Sequence, residues 1–466
     1  MTTRRTAVKF IAGSAVGVLF TPAPWKLIRD TALVSEDWPG VPHPPRGPIT
    51  AKVTTCTLCP GGCAVRARCV GEQPVSLAGV NGGLCPLGVI AHHLPYYPAR
   101  VKQGPVEEAR AAAAKCDPSK TVAVLDLRPG RTASSIYRKA MAAIPNGIYM
   151  APPQPEVAVN FSAAKTVLSL GAPLLDGWLP LAQIFAIRDN FRLIQVEAEL
   201  SRTAALADEW LTEVDAPKLA PRLEGPVLVI DRAMSPAVVA LNKELGGWGT
   251  TVAARERAPS SSFGAVPDGS IGLLYIDESH TDQYIPWPEI APKLAADAVV
   301  IAFAWSREGY ARHARFVLPV AVFPEALDDL PNGRVATPLV KAPDGVVDPV
   351  EFIAKANLAD AIKERKAPAD TGEWMTPYTG TVNAAASALS TKLYQESNLL
   401  LGPGQVAMNP SSGLPQNAQA FLETGRGKIP VRVMLDAGLP PGKIRYLPTP
   451  DLLDLCCSEE PKVVRA

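Results

Sequence analysis

Four cysteines near the start of the chain stand in two short stretches, CTLCPGGC at residues 56–63 and GGLCPLG at residues 82–88. They are Cys56, Cys59, Cys63 and Cys85, and the first three follow the spacing C-x2-C-x3-C. The whole chain has only 8 cysteines, and a disulfide framework would spread them along the fold. The spacing therefore predicts a local metal site with these four thiolates as ligands.

Glycine and proline between the cysteines allow tight turns. Pro60, Gly61 and Gly62 separate the second cysteine from the third. Glycine there lets backbone N–H groups approach the sulfur atoms, where they would stabilise an anionic cluster. The first three thiolates are therefore expected to converge.

The segment between the third and fourth cysteines reads AVRARCVGEQPVSLAGV, residues 64–80, and alternates apolar with polar residues. It predicts a β-hairpin with strands near 64–70 and 75–80, which would return the chain and place Cys85 beside the other three ligands. Cys69 falls inside the first of these strands, and its alternation with its neighbours predicts a buried strand residue that is not a ligand.

Three kinds of site are compatible with four cysteines. A four-iron four-sulfur cluster is favoured by the spacing. A zinc site needs the same residue types, but zinc ribbons usually pair two C-x2-C knuckles and one is present here. Disulfides in an oxidising compartment are the third interpretation.

Bulk composition excludes several classes of protein. The chain has 466 residues, 47% hydrophobic and 20% charged, which is a globular composition. Lys plus Arg number 46 and Asp plus Glu 45, a balance that gives no electrostatic basis for wrapping nucleic acid. The 47 prolines predict many loops and short elements and argue against a helical bundle.

Apolar runs alternate with helical patterns through the middle of the chain, as is typical of a doubly wound parallel sheet. No G-x-G-x-x-G fingerprint follows the first run, so the sequence argues against NAD or FAD binding. The predicted strands are the apolar run in TVAVLDLRPG, 121–130, which Pro-Gly closes, and the segments 166–170, 192–197, 226–233, 271–277, 297–305 and 314–320. The predicted helices are 132–144, 180–190 and 235–247, with Thr132 and Ser235 as N-caps of the first and last.

Three further segments resemble one known family. They are TVLSLGAPLLDGW at 166–178, RLIQVEAELSRTAALADEWLTEV at 192–214 and ARHARFVLPVAVFPEALDD at 311–329. Together with the cysteine stretch and the hairpin, and in the same order, they resemble the molybdopterin oxidoreductases, the dimethyl-sulfoxide-reductase family. The resemblance covers roughly residues 50 to 355. It implies an α/β fold with a small N-terminal iron–sulfur β domain, doubly wound parallel-sheet domains and a reduced C-terminal domain.

The expected organisation follows from this resemblance. It places an export signal or anchor at 1–30, the cluster domain at 48–105, α/β domains at 106–215 and 222–355, and a Pro/Gly-rich C-terminal region at 356–466. The run GKIPVRVMLDAGLPPGKIRYLP at 427–448 predicts two short strands, interpreted as a remnant of the family's pterin-binding barrel.

The sequence departs from active members of the family in three ways. Leu87 stands two residues after the fourth cysteine, where a lysine is common, and an apolar side chain supplies neither charge nor hydrogen bonds. No cysteine lies where the family usually ligates molybdenum, since Cys116 comes too early, and the chain is shorter. Glu325, Asp328 and Asp329 are interpreted as a structural segment and not as an acid–base set.

The A-D-x-W segment at 207–210 and the run FPEALDDLP at 323–331 with DPVEF at 348–352 resemble the non-catalytic molybdopterin-like subunits of the menaquinone reductase and alternative complex III types. The resemblance implies one 4Fe-4S cluster, no molybdopterin, and a role in electron transfer or as a scaffold. Its implied partners are a ferredoxin-like iron–sulfur subunit, a multihaem cytochrome c subunit and a quinone-binding integral membrane subunit. An active molybdenum or tungsten bis-pterin enzyme with an atypical ligand, and a structural subunit with no cluster, remain alternatives.

The N-terminus resembles a Tat export signal. Arg4 and Arg5 are paired, and no charged residue appears from Phe10 to Trp25. The resemblance implies a location on the periplasmic side of the inner membrane. An uncleaved anchor and an ordinary buried helix are the alternatives, and the adjacent Cys456 and Cys457 near the C-terminus have no assigned role.

Overall fold

The computed structural model describes residues 47–80, 83–213, 219–255, 260–280, 283–365, 401–402, 404–456 and 459–466, with 8–9, 13–14, 17, 374–375, 377 and 388–389. Apart from the five positions up to 17, the predicted export signal lies outside the described residues, as does Cys457. Within the described ranges, no helix has the length and apolar character needed to cross a membrane.

Within the described residues, the strands form four sheets of three to five strands and two short pairs. In chain order they are β1 (Ile49–Thr55), β2 (Ala64–Val70), β3 (Gln73–Gly79), β4 (Thr121–Asp126), β5 (Gly147–Met150), β6 (Val157–Val159), β7 (Thr166–Leu170), β8 (Arg192–Val196), β9 (Glu209–Leu211), β10 (Val227–Asp231), β11 (Val252–Ala254), β12 (Ile271–Asp277), β13 (Leu294–Phe303), β14 (Phe316–Leu318), β15 (Asp328–Asp329), β16 (Val335–Ala336), β17 (Gln405–Met408), β18 (Gln419–Thr424), β19 (Gly427–Leu435), β20 (Ile444–Tyr446) and β21 (Lys462–Arg465).

The α-helices are short and mostly connect the strands. They are α1 (Pro86–Ile90), α2 (Val106–Ala114), α3 (Thr132–Ala142), α4 (Leu181–Ile187), α5 (Arg202–Leu206), α6 (Pro236–Glu244), α7 (Trp287–Ile290), α8 (Pro349–Ala354), α9 (Leu358–Glu364) and α10 (Pro450–Cys456).

The chain begins its described part with an antiparallel sheet in the order β1-β2-β3. The strands β2 and β3 confirm the predicted hairpin, and Gly71 turns between them at φ +62°, a conformation that glycine adopts at no steric cost. Val65, Ala67 and Cys69 on β2 point into the core and are buried. Cys69 is therefore a buried strand residue, as predicted.

Two parallel sheets form the centre of the molecule, as the apolar runs predict. Their orders are β14-β13-β12-β4-β5 and β10-β7-β8-β9. Every residue of β12 is buried, which is typical of a parallel strand covered on both faces. The mixed α/β architecture with parallel sheets is therefore confirmed.

Each parallel sheet takes strands from both sides of the proline-rich segment near residue 220, which was expected to divide two α/β domains. β12 pairs with β4, and β10 pairs with β7. Apolar periodicity predicts that a segment is a strand, but it does not specify the strand's neighbours, because a right-handed crossover can return the chain to either side of an existing strand.

The strand order of the first sheet creates a topological switch point. The chain leaves β4 for β5 on one side, and the later strand β12 lies on the other side of β4. Asp126 ends β4 and Asp277 ends β12, and the two residues are direct neighbours in the register. Ligands of open α/β sheets bind outside the carboxyl ends of the strands at such a point.

The last described segment forms a separate five-stranded sheet in the order β20-β17-β19-β18-β21. Val406, Leu422 and Val433 are among its fully buried residues and form a core of their own. β19 and β20 confirm the two strands predicted within 427–448. Their interpretation as the remnant of a barrel remains a prediction.

Candidate functional site

The predicted ligands lie at the ends of the antiparallel sheet. Cys56 directly follows β1, Cys63 directly precedes β2, and the Cys56 N–H donates to the Cys63 carbonyl over 2.8 Å to close the loop that carries Cys59. Cys85 follows β3 and caps the N-terminus of α1, where its sulfur accepts a hydrogen bond from the Gly88 N–H at 3.4 Å. The hairpin therefore returns the fourth cysteine to the first three.

The four thiols share a buried environment. Cys56 is 4% exposed and Cys63 is 9% exposed, while Cys59 and Cys85 are half-buried. Burial raises the pKa of the Cys56 thiol well above its ordinary value, and the neighbouring Cys59, Cys85 and Cys63 raise it further. Burial also raises the pKa of Cys85, with a smaller contribution from Cys63. None of the described cysteines forms a disulfide.

Backbone amides and two arginines favour the thiolate form of these groups. Burial raises the pKa of Cys63, against the opposing effects of the Leu181 N–H and the guanidinium groups of Arg334 and Arg202. The Leu58 N–H acts on Cys56 in the same direction. Donors of this kind are what a thiolate-ligated cluster needs around its sulfur atoms.

Within the described ranges, no three or more His, Cys, Asp or Glu side chains are grouped closely enough to hold a single metal ion.

The loop after β7 closes over the cysteines. Gly177 in this loop has φ +101°, and a Cβ at this position would lie 3.2 Å from the Cys59 sulfur. A Cβ on Gly61 would lie 3.4 Å from the same sulfur. Both glycines therefore allow backbone to approach the Cys59 sulfur closely; the sequence predicts this for Gly61 but not for Gly177.

The hairpin of β15 and β16 holds the cysteine loop from another side. At its tip, the Asn332 amide donates to the Gly61 carbonyl at 3.4 Å, and Arg334 donates to the Gly62 carbonyl at 2.9 Å. Gly62 has φ +64°, and a Cβ there would lie 2.6 Å from a methyl group of Leu330. The positions of the cysteines thus depend on a distant segment, since Arg334 and Gly62 are 272 positions apart in the chain.

A buried network of charged side chains lies at the switch point beside this loop. Arg131 contacts three carboxylates, those of Asp126 at 3.3 Å, Asp277 at 2.7 Å and Asp328 at 3.1 Å. Arg128 is 1% exposed and donates to the carbonyl of Thr57, which lies between the first two cysteines, at 2.7 Å. The network is therefore in direct contact with the cysteine loop.

Further members of the network surround these carboxylates. Tyr149 donates to Asp126 at 2.8 Å and Tyr137 donates to Asp277 at 3.0 Å. The His280 Nε2 lies 2.7 Å from an oxygen of Asp328. Burial opposes ionisation of Asp328, but Arg131 and His280 together hold its pKa down to about 2. The carboxylate is therefore charged at neutral pH.

The three acidic residues of the FPEALDD segment all have structural partners. Glu325 forms a buried bidentate pair with Arg100, and Asp328 binds Arg131. Asp329 accepts from the Thr132 N–H at 3.0 Å and from its hydroxyl at 2.9 Å. These contacts agree with the structural interpretation of this segment.

The contact between Thr132 and Asp329 corrects one predicted N-cap. Thr132 was expected to be the N-cap of α3, but it is the first helical residue, and Arg131 occupies the cap position. The Asp329 carboxylate provides the acceptor instead, from a segment that sequence analysis of the helix alone cannot identify. Ser235 does cap α6 as predicted, because its hydroxyl accepts from the Val238 N–H.

A cavity of about 530 Å³ opens beside the network. Arg131, His280 and Lys341 line it with basic groups. Its acidic lining residues are Asp277, Glu325, Asp328, Asp344 and Asp348. Leu87, the residue in the position of the family's lysine, packs against the main hydrophobic core.

Sequence reasoning missed Arg128, Arg131 and His280. The signal available for the first two was their place in the loop RPGR, directly after the acidic end of β4. His280 follows the acidic end of β12 in the same way. Without the strand order, nothing in the sequence indicates that β4 and β12 are neighbours.

Comparisons with known proteins support the resemblance. The chain matches no protein-family model. It is 34% identical over 106 residues to the menaquinone reductase, molybdopterin-binding-like subunit, of Nitratidesulfovibrio vulgaris; the match spans 22% of this chain and 15% of that protein's length. Its fold is similar to acetylene hydratase from Pelobacter acetylenicus, with TM-score 0.57 and 12% identity, covering 84% of this chain and 92% of that chain.

The two comparisons carry different information, because the structural match at 12% identity shows similarity of fold alone. The first is a similarity of sequence over a limited segment, and the second is a similarity of fold over most of the chain. Together they confirm the resemblance to the molybdopterin oxidoreductases that the sequence motifs predict.

Proposed function

We propose that the chain binds one four-iron four-sulfur cluster through Cys56, Cys59, Cys63 and Cys85 and serves as an electron-transfer or scaffold subunit. The observation that carries this proposal is the convergence of the four thiols in one buried site, where Cys56 is close enough to the other three for each to raise its pKa. When bound, such a cluster accepts and gives up one electron.

The donor set fits this group. Burial raises the pKa values of Cys56, Cys63 and Cys85, so these thiols do not ionise readily on their own. Bound iron offsets that cost because a thiol that coordinates a metal ion is deprotonated. The N–H groups of Leu58, Leu181 and Gly88 would then donate to the sulfur atoms and contribute to the cluster's potential.

The residues at the switch point do not fit a bis-pterin cofactor. Such a cofactor brings several phosphate groups, which need cationic or N–H donors. The cavity beside the network instead has five acidic residues in its lining against the cationic Arg131 and Lys341 and the ring of His280, whose pKa is lowered by burial. Arg131 is already engaged by three carboxylates. We therefore propose that the chain works without molybdopterin.

The role in a larger assembly is proposed from the curated relative, which is a subunit of a menaquinone reductase. The proposed partners are a ferredoxin-like iron–sulfur subunit, a multihaem cytochrome c subunit and a quinone-binding integral membrane subunit. The proposed location is the periplasmic side of the inner membrane after Tat export.

Metal analysis of the purified chain tests the proposal. We expect iron at about four atoms per chain, with broad visible absorbance and neither molybdenum nor tungsten. Stoichiometric molybdenum or tungsten would support the bis-pterin alternative, and a colourless protein without iron would support the purely structural one.

A pair of cysteine variants tests the ligands. Cys59→Ala should lose the iron because it removes one thiolate from the site. Cys69→Ala is the matched control, because Cys69 lies between Cys63 and Cys85 in the sequence but is buried in β2 and is not a proposed ligand. This variant should keep the iron. Equal iron content in both variants would contradict the ligand assignment.

A further inference from the structure

The network beside the cysteine loop carries an unbalanced charge. Three carboxylates, those of Asp126, Asp277 and Asp328, face the two guanidinium groups of Arg128 and Arg131. The ion pairs Glu325–Arg100 and Asp329–Arg365 each have no net charge and so do not change this balance. Among these five groups one negative charge is thus left over while His280 is neutral, and one proton on His280 would balance it.

His280 is placed to take that proton. Its Nε2 lies 2.7 Å from the Asp328 carboxylate, which only accepts hydrogen bonds, so Nε2 carries the hydrogen of the neutral ring. Nδ1 is then the atom that gains a proton. The ring also lines the cavity of about 530 Å³, through which water can supply protons.

The charged groups that face His280 come from three segments. Burial lowers its pKa, and so do Arg128 and Arg131 in the loop before α3, while Asp328 on β15 raises it. Asp277 at the end of β12 interacts with it as well. The other charged residues in the cavity lining are Glu325, Lys341, Asp344 and Asp348. The ring is therefore neutral at neutral pH, and additional negative charge nearby favours its protonation.

Two routes connect the network to the cysteine loop. Arg128 joins it directly through the Thr57 carbonyl. The hairpin of β15 and β16 has Asp328 at its start, and Asn332 and Arg334 at its tip bind the carbonyls of Gly61 and Gly62. Because these groups are buried, a charge placed among the four sulfurs acts on the network through a medium of low dielectric constant.

We propose that His280 takes up one proton from water when the four-cysteine site gains one electron from a one-electron carrier protein, and releases it when the electron leaves. This inference rests on the proposed cluster. One negative charge enters with the electron and one positive charge enters with the proton, so the charge of the buried region is unchanged by the cycle. The fold thereby couples electron transfer to proton transfer at the switch point.

The test is a redox titration of the iron-loaded protein between pH 5.5 and pH 9, with dithionite as reductant. If reduction is accompanied by proton uptake, the reduced form becomes less favourable as the pH rises. This dependence holds between two pH values: the pKa of His280 in the oxidised protein and its higher pKa in the reduced protein. We expect the equilibrium constant for reduction to fall by up to tenfold per pH unit in that window, which is about 59 mV for one electron.

His280→Gln should remove this dependence while iron is retained. His313→Gln is the matched control, because His313 stacks on Trp287 and contacts Asp454 away from the network, and it should titrate like the unchanged protein. A pH-independent potential in the unchanged protein, or an unaltered slope in His280→Gln, would overturn the inference while leaving the cluster in place.

A second measurement covers the case in which His280→Gln does not fold. A weakly buffered solution of the unchanged protein should take up a sizeable fraction of one proton per electron on reduction near neutral pH, read from an indicator dye. No uptake would overturn the inference. Absence of iron and of visible absorbance would instead refute the proposed function itself.

Discussion

Replacing Arg131 by methionine removes a side chain that contacts all three carboxylates of the buried network. Asp126, Asp277 and Asp328 are each at most 3% exposed at the side chain, so the variant leaves them without their principal countercharge. Removing one partner of a single buried ion pair costs about 3–5 kcal/mol because the other charge stays buried. We expect Arg131→Met to lose at least about 3 kcal/mol of unfolding free energy at pH 7.

The loss should depend on pH. In the unchanged protein Arg131 holds the pKa of Asp328 at about 2 and that of Asp277 below its ordinary value, against the effect of burial. These depressed values stabilise the folded chain above the ordinary carboxyl pKa near 3.9. Without Arg131, the effect of burial would be opposed only by the smaller contributions of His280 and the other neighbours, and both pKa values would rise. Protonation would then relieve the variant, and its deficit should shrink as the pH falls from 7 towards 4.

Urea unfolding followed by circular dichroism at pH 7 and pH 5 measures both effects. Lys139→Met on the same helix is the control, because Lys139 is exposed and its replacement should change the unfolding free energy by less than about 0.5 kcal/mol. A loss below about 1 kcal/mol for Arg131→Met, or a deficit that grows on acidification, would refute this account of the network.

Two further substitutions test the loop that packs against Cys59 and the edge strand β10. Gly177→Ala should lower iron retention, because φ is +101° and the new Cβ would lie 3.2 Å from the Cys59 sulfur. Gly171→Ala is the control and should keep the iron, because a Cβ there, at φ +69°, would have no atom within 4 Å. Equal iron retention in the two variants would contradict this prediction. Asn242→Leu should cost at least about 2 kcal/mol in urea unfolding, because the Asn242 amide bonds both the N–H and the C=O of Val229 on the edge strand β10, and a loss below about 0.5 kcal/mol would contradict it.

The sequence predicted the local secondary structure around the cysteines. The spacing of the cysteines and the alternation in residues 64–80 indicated the hairpin, because both depend on neighbours along the chain. The parallel strands were equally predictable, since buried strands such as IGLLYID at 271–277 read as continuous apolar runs. Ser235 as a cap followed from the same kind of local rule.

The network at the switch point was not predictable from the sequence. It exists because β12 lies beside β4, and strand order is decided by packing between distant segments, which periodicity does not report. The cap of α3 has the same origin, since Asp329 takes the role expected of Thr132. In both cases the decisive contact joins residues separated by more than 140 positions, 146 for Arg131 with Asp277 and 197 for Thr132 with Asp329.

The central claim is that four cysteine thiolates hold one iron–sulfur cluster, and low-temperature electron paramagnetic resonance of the dithionite-reduced protein tests it most directly. The account predicts about one cluster spin per chain, present in Cys69→Ala and lost in Cys59→Ala. A molybdenum or tungsten signal of comparable intensity, or an iron-free protein without any signal, would contradict it.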